Sequence, residues 1–166
     1  MVSAFHNVCV IFQSRRKKAG IHFRIHVVVR IRKADIKAAG GDADAVRRSR
    51  PDLPAEVMVA YAYDLIARGN PAGFFGMVFV LEGTSVALAL QAADRIQQAL
   101  GLPNKAFSYL RSHGTLDQEH TKHLAALLEQ MTPEDQADVL HAAKVFYKLY
   151  GDVFRALPTA KETPCN

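Results

Sequence analysis

The stretch NKAFSYLRSHGTLDQEHTKHLAALLEQM, residues 104–131, decides the fold. Projected at about 100° per residue, Tyr109, Leu110, Leu124, Leu127, Leu128 and Met131 fall on one apolar stripe. That is the period of an amphipathic α-helix. Glu119, Lys122 and Glu129 lie on the other faces, as solvated charges should. His113, Asp117 and His120 fall inside the apolar stripe, at spacings i, i+4 and i+7. Burying three titratable groups is costly unless something pairs with them.

Working outward, everything after Pro54 reads as helix. Asp52 with Pro54 suits a helix start, and Glu56–Arg68 runs to a stop at Gly69. Asn70-Pro71 opens a second helix, which ends at Leu100 with Gly101 closing it. Pro103 starts a third, reaching Met131. Thr132-Pro133-Glu134-Asp135 is an N-cap signal for a fourth, ending near Leu157 before Pro158. Long helices joined by short turns pack as antiparallel neighbours, so the class is an all-α antiparallel bundle.

The second helix repeats the anomaly of the third. Phe75, Val78, Phe79, Val86, Ala89, Ala93, Ile96 and Leu100 form its expected apolar face, with Glu82 in the middle. A lone buried Glu would stay protonated or be excluded from the core. Facing two histidines and an Asp across an antiparallel hairpin, it can instead share a metal ion. Imidazole and carboxylate ligands without thiolate suit iron, manganese or zinc. Helix-borne carboxylates with histidines three or four residues away are how bundles hold paired metal ions. Taken singly, each residue also reads as an ordinary hydrogen-bonded core group, and together they also fit an acid–base cluster without metal. Asp64 reads as a solvated Asp, and His123 and His141 as surface residues. Zinc-protease HExxH spacing, P-loops and GxGxxG are absent.

The N-terminal part differs in both charge and period. Residues 1–33 hold eight Lys/Arg and no Asp or Glu, although the whole chain of 166 residues is only +5. The remainder has thirteen basic and sixteen acidic residues. A composition boundary therefore falls near Lys33, giving an atypical basic extension (1–33), a helical domain (34–158) and a tail (159–166). Ile21, Phe23, Ile25, Val27, Val29 and Ile31 alternate with mostly basic residues, the period of a strand. Ala38–Asp42 then breaks the chain, and Arg47–Pro54 reads as polar linker. The basic extension reads as solvated or weakly packed. No zinc-finger spacing, helix-turn-helix pattern or aromatic-basic alternation supports nucleic-acid binding beyond bare charge. No apolar run approaches the ~18–20 residues that span a bilayer, so no membrane partner is expected. Only Cys9 and Cys165 are present, far apart, which fits a reducing cytoplasm.

Leu81-Glu82-Gly83-Thr84-Ser85, followed by His113-x-x-x-Asp117-x-x-His120, resembles the haem-oxygenase-like di-iron oxidases and oxygenases. These share a fold group with the thiaminase-II and pyrroloquinoline-quinone synthase C proteins. The resemblance covers roughly Asp35 to Leu157. It implies a helical bundle in which Glu82, His113, Asp117 and His120 are iron ligands. It also implies oxidation of a small organic substrate with O2. Thiaminase-II needs a nucleophilic cysteine within the bundle, where this chain has none. Haem oxygenase proper uses a proximal His on its first helix, for which there is no evident counterpart.

The chain departs from the family at its N-terminus. The family draws a further Glu and His from a Glu-rich helix just before the segment matching Ile36–Asp44. Here that position holds the strand-like stretch Ile21–Lys33, and no Glu precedes Glu56. Four of six ligands are then present, one iron rather than two is expected, and the start reads as truncated or frame-shifted. The functional expectation is an iron-dependent oxidoreductase impaired by the missing ligands. The alternative is a non-catalytic helical domain, dimerising or regulatory, with a vestigial metal site; a homodimer is compatible with either.

Overall fold

The structure, a computed structural model, describes residues 32–157, with Thr115 and Leu116 described in backbone only. The expected strand at 21–31, both cysteines and the 159–166 tail lie outside the described residues. Helix α1 spans 32–38. It is followed by α2 (Ala43–Arg48), α3 (Leu53–Ala67), α4 (Phe74–Leu100), α5 (Ser108–Glu129) and α6 (Pro133–Arg155). Short 3-10 turns at Pro71–Gly73 and Asn104–Phe107 lead into α4 and α5. There is no strand among the described residues, and the class is the all-α bundle read from the sequence.

The helix signals act as read. Asp52 caps α3 by accepting the Ala55 N–H at 3.1 Å, with Pro54 in the first turn. Asn70 caps the turn at Pro71 through the Ala72 N–H, and Gly101 closes α4 with φ of 62°. Thr132 caps α6 by accepting the Asp135 N–H. The three side-chain caps, Asp52, Asn70 and Thr132, satisfy helix-start N–H groups that have no partner within the helix.

Two short helices escaped the sequence reading. The chain break and linker expected across 38–54 contain α2, capped by Asp42, which accepts from the N–H groups of Asp44 and Ala45. Six residues are too few to display a helical period, so only the cap could have marked it. Helix α1 runs across the boundary placed at Lys33. Lys33 bonds Asp44 at 3.1 Å, and Arg32 donates to the Tyr109 hydroxyl at 3.2 Å.

Antiparallel pairing of α4 and α5 is fixed by contacts in opposite sequence order. Arg111 donates to Asp94 at 2.8 Å and to Gln97 at 2.9 Å near the turn. Gly114 lies against Leu90 further along, and His120 meets Glu82 further still. The core sits on the other side of α4. Met58 and Ala62 of α3, Phe74, Met77 and Val80 of α4, and Ala142, Ala143 and Phe146 of α6 form one buried cluster. Here α4 and α6 nearly touch: a Cβ on Gly76 would lie 2.5 Å from the Ala143 nitrogen.

This two-sided packing corrects the expected apolar face of α4. Phe79, Ile96 and Leu100 are exposed, whereas Phe74, Met77 and Val80 are buried. A single stripe cannot describe a helix that packs on α5 along one side and on α3 and α6 along another. Leu127 of α5, placed on its stripe, is also exposed. The expectation about bilayer length is corrected too. The stretch Pro71–Leu100 is long and apolar enough to cross a membrane by length and composition. In this fold its faces meet α5 and α6, and its two carboxylates, Glu82 and Asp94, meet His120 and Arg111 of α5.

Candidate metal centre

Glu82 lies in the first half of α4, two residues after Val80 of the core, and meets His120 of α5. Its carboxylate is only partly exposed, at 24%. Across the pair, Asp117 on α5 is buried, and His120 follows one turn later, half-buried. The i, i+3 spacing places both on the face of α5 turned to α4. His120 Nδ1 lies 3.4 Å from Asp117 Oδ1 and 3.6 Å from Glu82 Oε1.

Glu82, Asp117 and His120 each offer one ligand atom, and these three atoms lie within 4.8 Å of one another. Two atoms bound to one ion at ~2.1 Å are at most ~4.2 Å apart. A small inward adjustment therefore suffices. Glu82 Oε2 is buried and has no hydrogen-bond partner. Burial raises the Glu82 pKa above the usual carboxylate range, and the nearby Asp117 charge raises it further, opposed by His120. A buried oxygen without a donor beside a second carboxylate is an arrangement that a divalent cation relieves. The donors are oxygen and imidazole nitrogen with no thiolate, which suits iron, manganese or zinc.

Of the four residues singled out in the sequence, three come together and one stands apart. His113 is not in the group of mutually close ligand atoms. It sits one turn before Asp117, with Nδ1 donating to the Tyr109 carbonyl at 2.9 Å and its ring 4.0 Å from the Tyr109 ring. That bond assigns the proton to Nδ1 and leaves the Nε2 lone pair available, the condition a metal-binding imidazole needs.

The residues set aside behave as read. Asp64 pairs with Arg68 at the surface, His123 bonds the Glu119 carbonyl on an exposed face, and His141 is exposed. The sequence reading missed Asp35. It is buried, and its carboxylate accepts the Tyr109 backbone N–H at 2.7 Å across 74 positions. No local pattern marks a contact of that range.

No curated protein and no solved structure matches the chain. The family described as iron-containing redox enzymes matches residues 22–151, more than half of the chain. The match begins at His22, upstream of the Asp35 start inferred from the motifs. An all-helical fold, a carboxylate–histidine cluster of the right donor type and this extended match agree, and the chain belongs to the iron-containing redox enzymes of haem-oxygenase-like type.

Proposed function

We propose that this chain is an oxygen-dependent oxidase or oxygenase whose iron is held by Glu82, Asp117, His120 and His113. The observation that carries this reading is the meeting of Glu82 from α4 with Asp117 and His120 from α5. Their ligand atoms lie within 4.8 Å, and the buried Glu82 Oε2 has no hydrogen-bond partner. Iron in such a site supplies one-electron chemistry towards O2 and a small organic substrate.

The chain's own residues prepare the site in distinct ways. Asp117, buried and beside Glu82, supplies a second negative charge that a cation neutralises. Burial raises the Glu82 pKa, and a cation held beside it would favour its ionised carboxylate. His120 turns Nδ1 towards both carboxylates, so that nitrogen must be the unprotonated one in a metal complex. His113 holds its Nδ1 proton on the Tyr109 carbonyl and keeps Nε2 for coordination.

Four ligands from two helices suffice for one ion, whereas a pair of ions draws on more helices of a bundle. We therefore assign at most one iron per chain to these residues, and slow oxygen use. The test is anaerobic loading of the full chain with Fe(II), quantification of iron per chain, and measurement of O2 consumed on exposure to air. Iron bound in proportion to chain, with slow O2 uptake, supports the reading. A folded chain that takes up no iron favours the non-catalytic helical domain instead.

A further inference from the structure

Helix α5 carries both His113 and His120, yet its N-cap residue, Phe107, supplies no side-chain hydrogen bond. The acceptor comes from α1. Asp35 Oδ2 takes the Tyr109 N–H at 2.7 Å, one of the first-turn amides that a helix leaves without an internal partner. Asp35 is only 8% exposed, and its Oδ1 has no hydrogen-bond partner. A buried carboxylate is thus directed at this amide, where its charge also suits the positive end of α5.

The residue that Asp35 holds is the one on which His113 rests. The Tyr109 carbonyl accepts from His113 Nδ1 at 2.9 Å, and the two rings are 4.0 Å apart. One turn before Asp35 on α1, Arg32 sits 4.6 Å from the Tyr109 ring centroid and donates to its hydroxyl. Helix α1 therefore grips Tyr109 by amide, ring and hydroxyl, while Tyr109 grips His113 by carbonyl and ring.

We propose that Asp35 is a positioning residue for His113: by capping α5 at Tyr109 it fixes the Nδ1–H tautomer that leaves the Nε2 lone pair free for metal. The relevance to metal rests on the reading of His113 as an iron ligand. Without the cap, the first turn of α5 frays, the Tyr109 carbonyl moves, and the His113 ring loses its acceptor.

The test uses the full chain, with Asp35→Ala, Asp35→Ser and Asp35→Asn. Long-range 1H–15N spectra of the metal-free protein report the His113 tautomer directly. Wild type and Asp35→Asn, whose amide oxygen still accepts, should show the Nδ1–H form. Asp35→Ala should show a mixture with the Nε2–H form. Asp35→Ser, with a shorter reach, serves as the second removal variant if Asp35→Ala does not fold. Titration with Co(II) should then show affinity about 10- to 100-fold weaker in the Ala or Ser variant, with Asn restoring it to within about threefold. A removal variant with the wild-type His113 tautomer overturns the proposal. So does a loss of Co(II) affinity that Asn fails to restore. If wild type itself takes up no Co(II), the iron reading fails, and the tautomer comparison still decides the role of Asp35.

Discussion

The Glu82 carboxylate on α4 lies 3.6 Å from the His120 imidazole on α5, at the point where two antiparallel helices bring three potential metal ligands together. This contact joins residues 38 positions apart. It requires the α4–α5 register that Arg111, Asp94 and Gly114 set nearer the turn.

Charge at Glu82 is unfavourable in the metal-free chain. Its pKa is raised, so its proton binds more tightly in the folded state than in the unfolded one. The stability this confers is present at low pH and is lost as pH rises through the folded value. Glu82→Gln removes the charge at nearly constant shape. Metal-free Glu82→Gln should melt a few degrees above wild type at neutral pH. The gap should close as the pH falls to where wild-type Glu82 is protonated. Equal melting curves at neutral pH would show that the carboxylate is well solvated.

His113 and His120 should not be equivalent. His120 is already within the cluster, whereas His113 stands outside it with its Nδ1 on the Tyr109 carbonyl. Substituting His113 by Ala should weaken Fe(II) binding about tenfold or more and leave a measurable site, since three ligands remain. If His113→Ala binds iron like wild type, His113 is no ligand.

Gly76 marks the tightest approach of α4 to α6. An added Cβ would meet backbone atoms of Val139 and Ala143 at 2.6 and 2.5 Å, and backbone yields less readily than a side chain. Gly76→Ala should destabilise by about 1–3 kcal/mol despite the better helix propensity of Ala. Thermal or urea unfolding measures it, and an unchanged midpoint would mean that the two helices separate at little cost.

Thr132 offers a smaller effect to compare. Its hydroxyl accepts the Asp135 N–H at the start of α6. Thr132→Ala should cost about 1 kcal/mol in the same unfolding experiment, and Thr132→Ser much less.

Much of this architecture was legible because its signals are local. Asp52, Asn70 and Thr132 mark helix starts through bonds within three residues, and Gly101 ends α4 through its own left-handed backbone, so their chemistry shows in the sequence. Glu82, Asp117 and His120 stood out because charge on an apolar stripe demands a partner. What could not be read depends on distance in sequence. Met77 and Val80 are buried because α4 meets α6 more than fifty residues later, which no stripe on α4 reveals. Phe79 was assigned to the core on periodicity and lies exposed for the same reason. The role of Tyr109 was hidden because it acts through its backbone amide and carbonyl, which every residue possesses.

The most direct measurement is iron per chain after anaerobic Fe(II) loading of the full-length protein and of its His120→Ala variant, with folding verified for both. The account expects up to one iron in wild type and affinity reduced by more than about a hundredfold in His120→Ala, beyond what loss of an outer partner causes. Equal iron in the two proteins, or none in wild type, would contradict the assignment of Glu82, Asp117 and His120 as the iron site.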